Sequence, residues 1–336
     1  MDPLAEEFME FDHPFENMRL DDTYCFLCGV ELGEGATQED IFPRWLQRKH
    51  NLWNKHITLI NGTLIRYAQL KIPCCFPCNN EYLSQLEKEI STAINKGYRA
   101  CLELDSITIF YWSAKILYGI LRKGLNLLVD RSSPEKGSII PEKLIQTYDD
   151  LHTFMQGIRR SMNFIGPLPF SVLVANLHDL GARQNYFFRD NIISQTFSIR
   201  SGEVGIIVAM ADAGINNKSY SRYLDEVNGR KLHPIQFDEL FAKVTYESHR
   251  LKKAPFFTVV SNKDKSVPID VITQLPTGMI LKDWDQEEYS HWLGSVMAIW
   301  GIPEDSLFVP PNLVQTFLSN EDGTLKLLDQ EGNLVN

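Results

Sequence analysis

Hydrophobic and polar positions predict a mixture of strands and helices in the first hundred residues. A strand is predicted over residues 40–42, ending at Pro43, and a short helix around Trp45. β-branched residues flank an Asn-Gly pair within residues 57–65, which predicts a β-hairpin, because Asn-Gly tolerates the positive φ angles of a type I′ turn. Apolar residues then recur at helical spacing over residues 82–94.

Two further helices are predicted in the middle of the chain, at residues 105–123 and 141–162, and the second opens at Pro141. A Gly/Pro cluster at residues 166–169 then marks a change to strand-like patterns. Strands are predicted at 170–176, 186–199, 204–210, 255–260 and 268–275, and helices at 235–250 and 284–300. The predicted fold class is α+β.

Four segments follow from these patterns. Residues 1–21 are an acidic N-terminal tail, residues 22–95 a small domain, residues 96–165 a helical connector, and residues 166–336 an α+β domain of unknown role. In the last segment, Asp212 and the group His233, Gln236, Asp238 and Glu239 are polar enough for a site. They lack motif spacing, so cap and surface roles are predicted.

Two CxxC pairs are the strongest chemical signal in the chain. They are Cys25/Cys28 and Cys75/Cys78. The two-residue spacer lets both sulfurs of a pair face one ion, so four thiols in two pairs predict a tetrahedral structural Zn²⁺ site rather than disulfides. Cys74 offers an alternative ligand with altered spacing, but a small buried thiol is the simpler interpretation.

Composition and charge favour a soluble cytoplasmic protein without a membrane partner. The 336 residues carry a net charge of −10, which argues against a wholly basic nucleic-acid binder. The chain lacks a basic start followed by an apolar run. The most apolar segment, residues 107–129, contains Lys115, Arg122 and Lys123, so it predicts a buried amphipathic helix.

Basic residues are nevertheless concentrated in one stretch. Residues 41–71 contain no acid but six basic side chains, namely Arg44, Arg48, Lys49, Lys55, Arg66 and Lys71. Such a stripe can attract phosphate on an acidic protein, because salt limits the reach of distant charge to roughly 8 Å. Arg44, Arg48, Lys49 and Lys55 are therefore candidate nucleic-acid contacts, and a solvated face is an equal alternative.

The first CxxC, the run Glu39 to Leu46 and the second CxxC followed by Asn79 together resemble the four-cysteine branch of the HNH (ββα-metal) endonucleases. The resemblance covers residues 22–90. It implies a β-hairpin and a helix around one catalytic metal, with Glu39 and Asn79 as ligands of Mg²⁺ or Mn²⁺. The Asn that holds the catalytic strand in that family has no secure match, and Asn61, Gln69 and Asn54 are alternatives.

Asp40 occupies the position at which the resemblance implies a general-base His. Imidazole has an ordinary pKa of about 6.5 and an Asp carboxyl one of about 3.9, so Asp is the weaker base at neutral pH. General-base catalysis is typically worth ~10² to 10⁴ in rate. Three interpretations remain open: a substitution introduced to silence the enzyme, a naturally inactive copy, or an active variant in which Asp40 is a metal ligand.

The resemblance implies a metal-dependent hydrolase of DNA phosphodiester bonds, with Asp40, Glu39 and Asn79 as the catalytic residues, and Asp40 leaves open whether this form is active. By analogy of domain type, such an enzyme acts in defence against phage or mobile DNA. The alternative function is a zinc-stapled module that binds nucleic acid or protein without catalysis. A protein partner or ligand is expected for residues 166–336, and self-association into a homo-oligomer is left open.

Overall fold

The structure is a computed structural model that describes residues 19–130, 132–181, 185–261, 264, 266–278, 280–311, 313–320 and 322–335. The predicted acidic tail lies, up to residue 18, outside the described residues. In chain order the strands are β1 (Thr37–Asp40), β2 (His56–Thr58), β3 (Leu64–Arg66), β4 (Lys71–Cys74), β5 (Met162–Ile165), β6 (Ser171–Asn176), β7 (Tyr186–Asn191), β8 (Thr196–Ser201), β9 (Val204–Ala209), β10 (Phe256–Val260), β11 (Ile269–Gln274), β12 (Phe308–Val309) and β13 (Leu313–Val314). The α-helices are α1 (Arg44–Lys49), α2 (Ser84–Lys96), α3 (Tyr98–Leu102), α4 (Ser106–Leu125), α5 (Glu142–Gln146), α6 (Asp149–Met155), α7 (Ile215–Val227), α8 (Pro234–His249) and α9 (Gln286–Met297).

These elements confirm the α+β class, with a cysteine cluster near the N-terminus, a helical middle segment and a C-terminal sheet. The chain forms two compact units. The first comprises Met1–Thr92, Ser106–Pro167 and Phe257–Gln274, and the second comprises Ala93–Asp105, Leu168–Phe256 and Leu275–Asn336. The domain boundaries proposed from the sequence remain predictions.

The first unit contains two antiparallel strand pairs near the cysteines. β1 pairs with β4, with Glu39 opposite Ile72. After β4 the chain enters a π-helical turn at Cys78–Leu83, which continues into α2. β2 pairs with β3 across a turn that contains the Asn-Gly pair, so the predicted hairpin is confirmed. The turn is not type I′, because Gly62 has a φ of 81° but Asn61 has no positive φ.

Helix α4 is the central helix of the first unit, and most of its side chains are buried. It approaches the β1–β4 pair at Gly119, where an added Cβ would lie 3.1 Å from Ile41 Cγ1 and 3.3 Å from Ile72 Cδ1. This close approach brings Lys115, one turn earlier, to the end of β1. Within the described residues, no helix is long and apolar enough to cross a bilayer.

The second unit is built on an antiparallel sheet with strand order β6-β9-β8-β7. Helix α8 is buried over most of its length and supplies Phe237, Leu240 and Phe241 to the core. The predicted cap role of His233 is confirmed, since its Nδ1 accepts a hydrogen bond from Ile235 N at 3.2 Å. The predicted surface roles are wrong, because Gln236, Asp238 and Glu239 are all buried in α8.

Several predicted boundaries were wrong for local reasons. The strand expected at residues 40–42 lies at Thr37–Asp40 and ends where the chain turns toward Pro43. The helix expected at residues 141–162 is the pair α5 and α6, and its last residue, Met162, begins β5 and pairs with β11. The strand expected at residues 186–199 is the hairpin β7–β8.

Candidate metal centre and the adjoining strand end

The first cysteine pair lies in a tight knuckle. Tyr24 and Glu31 form an antiparallel bridge at its base, and Cys25 N donates to Val30 O at 2.9 Å. Gly29, with a φ of 69°, follows Cys28 and donates to Cys25 O at 2.9 Å. This left-handed conformation suits glycine because it has no Cβ, and it turns the chain so that both sulfurs lie on one side.

The second cysteine pair joins β4 to the helix. Cys75 follows the strand, Cys78 begins the π-helical turn, and Asn79 N donates to Cys75 O at 3.0 Å. The Sγ atoms of Cys25, Cys28, Cys75 and Cys78 all lie within 4.8 Å of one another, and Cys28 Sγ is 3.7 Å from Cys75 Sγ. A zinc ion with Zn–S bonds of about 2.3 Å separates its sulfurs by about 3.8 Å in a tetrahedron, so this cluster can hold zinc.

A fifth thiol lies beside the cluster. Cys74 Sγ is 3.9 Å from Cys25 Sγ, and both residues are buried. The sulfurs that all approach one another within 4.8 Å are nevertheless those of the two CxxC pairs. The spacing argument therefore identified the group of four, and Cys74 is a neighbouring buried thiol.

The thiols influence one another's protonation. Hydrogen bonding from Cys28, with further contributions from Cys74 and Cys78, lowers the pKa of Cys25. Hydrogen bonding to Cys25 raises the pKa of Cys28 and of Cys78. The thiols thus hold their protons jointly, and a bound ion would displace them.

Two side chains, one in helix α6 and one directly after it, hold the backbone carbonyl groups of the first knuckle, a feature that sequence reasoning missed. His152 Nε2 lies 3.1 Å from Phe26 O and Gln156 Nε2 donates to Leu27 O at 2.8 Å. Burial lowers the pKa of His152 to about 4, so the ring is neutral at physiological pH. The available sequence signal for this contact was the i, i+4 spacing of His152 and Gln156 in an apolar helical segment, which places both on one face.

Asn79 lies against the start of β1 rather than against Glu39. Its Nδ2 donates to Thr37 Oγ1 at 2.9 Å and is 3.4 Å from Gln38 O. Thr37 and Glu39 share one face of the strand, because side chains alternate along it. The helix carrying Asn79 is therefore fixed to β1 by a side-chain contact as well as by the cysteine cluster.

Glu39 is bound to a buried lysine. Glu39 is only 6% exposed and forms an ion pair with Lys115. The Nζ of Lys115 also donates to Glu87 Oε1 at 2.9 Å. Burial raises the pKa of Glu39 to about 7, although the ammonium acts in the opposite direction. Burial alone would lower the pKa of Lys115, but Glu39 and Glu87 outweigh it and raise that pKa. The lysine carries the positive charge and shares it between two carboxylates.

Lys115 also fixes the backbone that follows Glu39. Its Nζ donates to Asp40 O at 2.7 Å and is 3.3 Å from Ile41 O. Two side chains considered for this role make other contacts. Asn61 Oδ1 accepts from Thr63 N at 3.1 Å and its Nδ2 donates to Val129 O at 3.3 Å, while Gln69 Oε1 accepts from Arg66 N at 3.4 Å. The signal that sequence reasoning overlooked was a lysine within an otherwise apolar helix.

Asp40 lies between two cations and keeps one oxygen without a hydrogen bond. Arg44 Nε donates to Asp40 Oδ2 at 2.8 Å, and Lys71 Nζ lies 3.6 Å from Oδ1. Oδ1 is buried and accepts no hydrogen bond from the described residues. Lys71 faces this oxygen with its charge but without a hydrogen bond, so Oδ1 keeps a lone pair that a metal ion could use.

The predicted nucleic-acid contacts lie on α1 and in the loop after it, and Arg44 reaches the end of β1. Arg44 is exposed over 59% of its side chain although it binds Asp40. Arg48, Lys49 and Lys55 are exposed on α1 and in the loop after it. These basic side chains therefore lie on the surface, but the charge of Arg44 is partly neutralised by Asp40.

Comparison with family models, with curated proteins and with solved structures found no match to this chain.

Proposed function

We propose that residues 22–95 form an HNH-type, metal-dependent endonuclease module that acts on DNA phosphodiester bonds. The observation that carries the proposal is the connection of β1 and β4, an antiparallel pair, to the helix that contains Asn79 through the four-cysteine cluster. The HNH resemblance implies a β-hairpin and a helix; here β1 and β4 supply the antiparallel pair, although α1 and the β2–β3 hairpin lie between them in the chain. A cluster with zinc would keep the three elements together without taking part in hydrolysis.

The oxygen groups at the strand end differ in how well they suit a catalytic Mg²⁺ or Mn²⁺. Asp40 suits it best, because Oδ1 is buried and accepts no hydrogen bond from the described residues. Asn79 contacts Thr37 on the face of β1 that also carries Glu39, so its amide oxygen would join an ion at Glu39 rather than one at Asp40. Glu39 fits less well, since Lys115 and burial already engage its carboxylate. When bound, the ion would stabilise negative charge on the scissile phosphate.

The role of Asp40 then differs from that of the histidine it replaces. As a metal ligand it does not accept the proton of the attacking water, so a general base is missing at this position. Arg44 positions the Asp40 carboxylate by its hydrogen bond and presents charge at the same edge. We therefore propose that cleavage by this sequence is slow and that a histidine at position 40, acting as the base, accelerates it while Glu39 and Asn79, the ligands that the resemblance implies, hold the ion.

A second function is favoured by the ion pair of Glu39. A lysine ammonium already neutralises this carboxylate, which makes a divalent ion unnecessary for charge balance there. A zinc-stapled module that binds nucleic acid or protein without cleavage accommodates this arrangement. DNA affinity that falls with salt, without nicking, would favour that function over the nuclease.

Incubation of supercoiled plasmid with Mg²⁺ or Mn²⁺ tests the nuclease directly. The proteins to compare are the wild type, Asp40→His and, as a control without an intact cysteine cluster, Cys28→Ser. We expect nicking by Asp40→His, slower nicking by the wild type and none by Cys28→Ser. Nicking that is equal in all three proteins would identify a contaminating nuclease and remove the support for this site.

A further inference from the structure

Trp53 is exposed on the surface of the first unit, although tryptophan usually buries most of its area. It is 49% exposed and lies between α1 and β2. Within the described residues it makes no hydrogen bond and no ring contact. An isolated exposed apolar side chain needs no explanation by itself, so the surroundings of Trp53 decide whether it has a role.

The loop that carries Trp53 is anchored on both sides. Leu52, directly before it, is 1% exposed, and its N–H donates to Gln47 O at 2.8 Å. Lys55 N donates to Leu52 O at 2.8 Å, and Tyr67 N donates to Lys55 O at 3.1 Å. The indole is therefore presented by a backbone tied to α1 and to the end of β3. An ordered position lowers the entropy lost when a ligand binds.

The segments that anchor the Trp53 loop, namely α1, the loop itself and the end of β3, carry basic side chains without acidic partners. Arg48, Lys55 and Arg66 are exposed, and they form no ion pair within the described part of the chain. No Asp or Glu occurs between residues 41 and 71. We name Arg48, Trp53, Lys55 and Arg66 the Trp53 surface. On a protein with a net charge of −10, an uncompensated basic surface indicates a polyanionic partner.

An aromatic ring among unpaired cations suits nucleic acid whose bases are accessible. Phosphates bind arginine and lysine, and an unpaired base stacks on an aromatic face. In a duplex the faces of the bases are already stacked, so they offer no surface to an indole. A membrane would favour a larger apolar face, and a peptide would need pockets for its side chains.

We propose that the Trp53 surface binds a single-stranded segment of nucleic acid, with one base stacked on Trp53 and phosphates bound by Arg48, Lys55 and Arg66. The inference rests on the proposed function, since it names the substrate of that module: a nucleic acid with an unpaired stretch. The basic side chains track the backbone without sequence preference, and the indole distinguishes single strand from duplex.

The test measures equilibrium binding without cleavage. The full-length zinc-containing protein is titrated into a labelled oligo-dT strand and into a labelled duplex, without Mg²⁺ or Mn²⁺, and fluorescence anisotropy is recorded. We expect tighter binding of the single strand, and Trp53→Ala should weaken it by about 5- to 150-fold, the effect of losing one stacked base. Trp53→Phe should retain most of the affinity.

Matched variants separate stacking from charge. Arg48→Gln and Lys55→Gln should each weaken the binding of both the single strand and the duplex. Each should also reduce the slope of log affinity against log salt concentration by about 1. Ile60→Ala, at an apolar side chain that is 64% exposed on the neighbouring hairpin, should leave both affinities unchanged. Equal binding of single strand and duplex by the wild type, or unchanged single-strand affinity in Trp53→Ala, overturns the inference.

The inference and the nuclease proposal can fail separately. Single-strand binding that depends on Trp53, without cleavage of any substrate, would remove the nuclease and retain the binding surface. Cleavage of plasmid together with Trp53-independent binding would retain the nuclease and remove the surface. No binding to either ligand at low salt would overturn the inference.

Discussion

Lys115 and Glu39 form a buried ion pair that joins α4 to the end of β1. The same ammonium donates to Glu87 and to Asp40 O and lies 3.3 Å from Ile41 O, so the three N–H groups of one lysine serve two carboxylates and the backbone after Glu39. Buried charges are tolerated when they are paired and hydrogen-bonded in this way. The arrangement fixes the strand end that carries Asp40.

Replacement of Lys115 should therefore be strongly destabilising. Lys115→Met leaves the Glu39 carboxylate buried without its cation, and we expect a loss of about 3–5 kcal/mol in the free energy of unfolding. Denaturant unfolding followed by circular dichroism measures it. Lys71→Met is the matched control, because Lys71 is 32% exposed and lies 3.6 Å from Asp40, so its loss should cost less than about 1 kcal/mol. Equal losses of unfolding free energy in the two variants would contradict the role of Lys115 as the cation that neutralises buried Glu39.

Zinc content tests the assignment of the four thiols. Cys28→Ser should lose most of the bound metal and much of the stability, because an incomplete thiolate set binds zinc weakly. Cys74→Ser should keep its zinc, since Cys74 lies outside the group of four. Elemental analysis after dialysis provides the measurement. Equal zinc loss in both variants would show that Cys74 belongs to the ligand set.

His152 should make stability depend on pH. Burial lowers its pKa to about 4, below the ordinary value of about 6.5, so protonation favours the unfolded chain. Its contribution is complete above pH 6.5 and is lost as the pH falls from about 6.5 to about 4, by up to about 3 kcal/mol. The difference in unfolding free energy between the wild type and His152→Gln measures it, since acid release of zinc affects both proteins. Parallel stability profiles across this range would contradict the prediction.

The sequence predicted elements whose signals are local. Two CxxC spacings identified the cysteine cluster, and an Asn-Gly pair identified the β2–β3 hairpin. The turn between β7 and β8 also had a local signal that was overlooked. Asn191 Oδ1 accepts from Ser194 N at 2.8 Å, and Gln195 has a φ of 50°, so a side-chain turn interrupts an apolar run that resembles one long strand.

Contacts between distant segments had no such signal. β1 and β4 pair across an intervening helix and hairpin, and the partner of Glu39 lies in α4. A carboxylate on a strand looks the same in sequence whether a metal ion or a lysine neutralises it. The HNH resemblance assigned Glu39 and Asn79 to a metal, whereas their contacts in the fold are with Lys115 and with Thr37.

The most direct measurement is the single-turnover rate of DNA cleavage by the wild type and by Asp40→His, in Mg²⁺ or Mn²⁺ and with both proteins zinc-loaded. We expect cleavage by Asp40→His to be about 10²- to 10⁴-fold faster than cleavage by the wild type, the usual contribution of a general base. Chelation of the divalent ion, with zinc retained, should stop the reaction. Absence of cleavage by both proteins, with DNA still bound, would contradict the nuclease and leave a non-catalytic binding module.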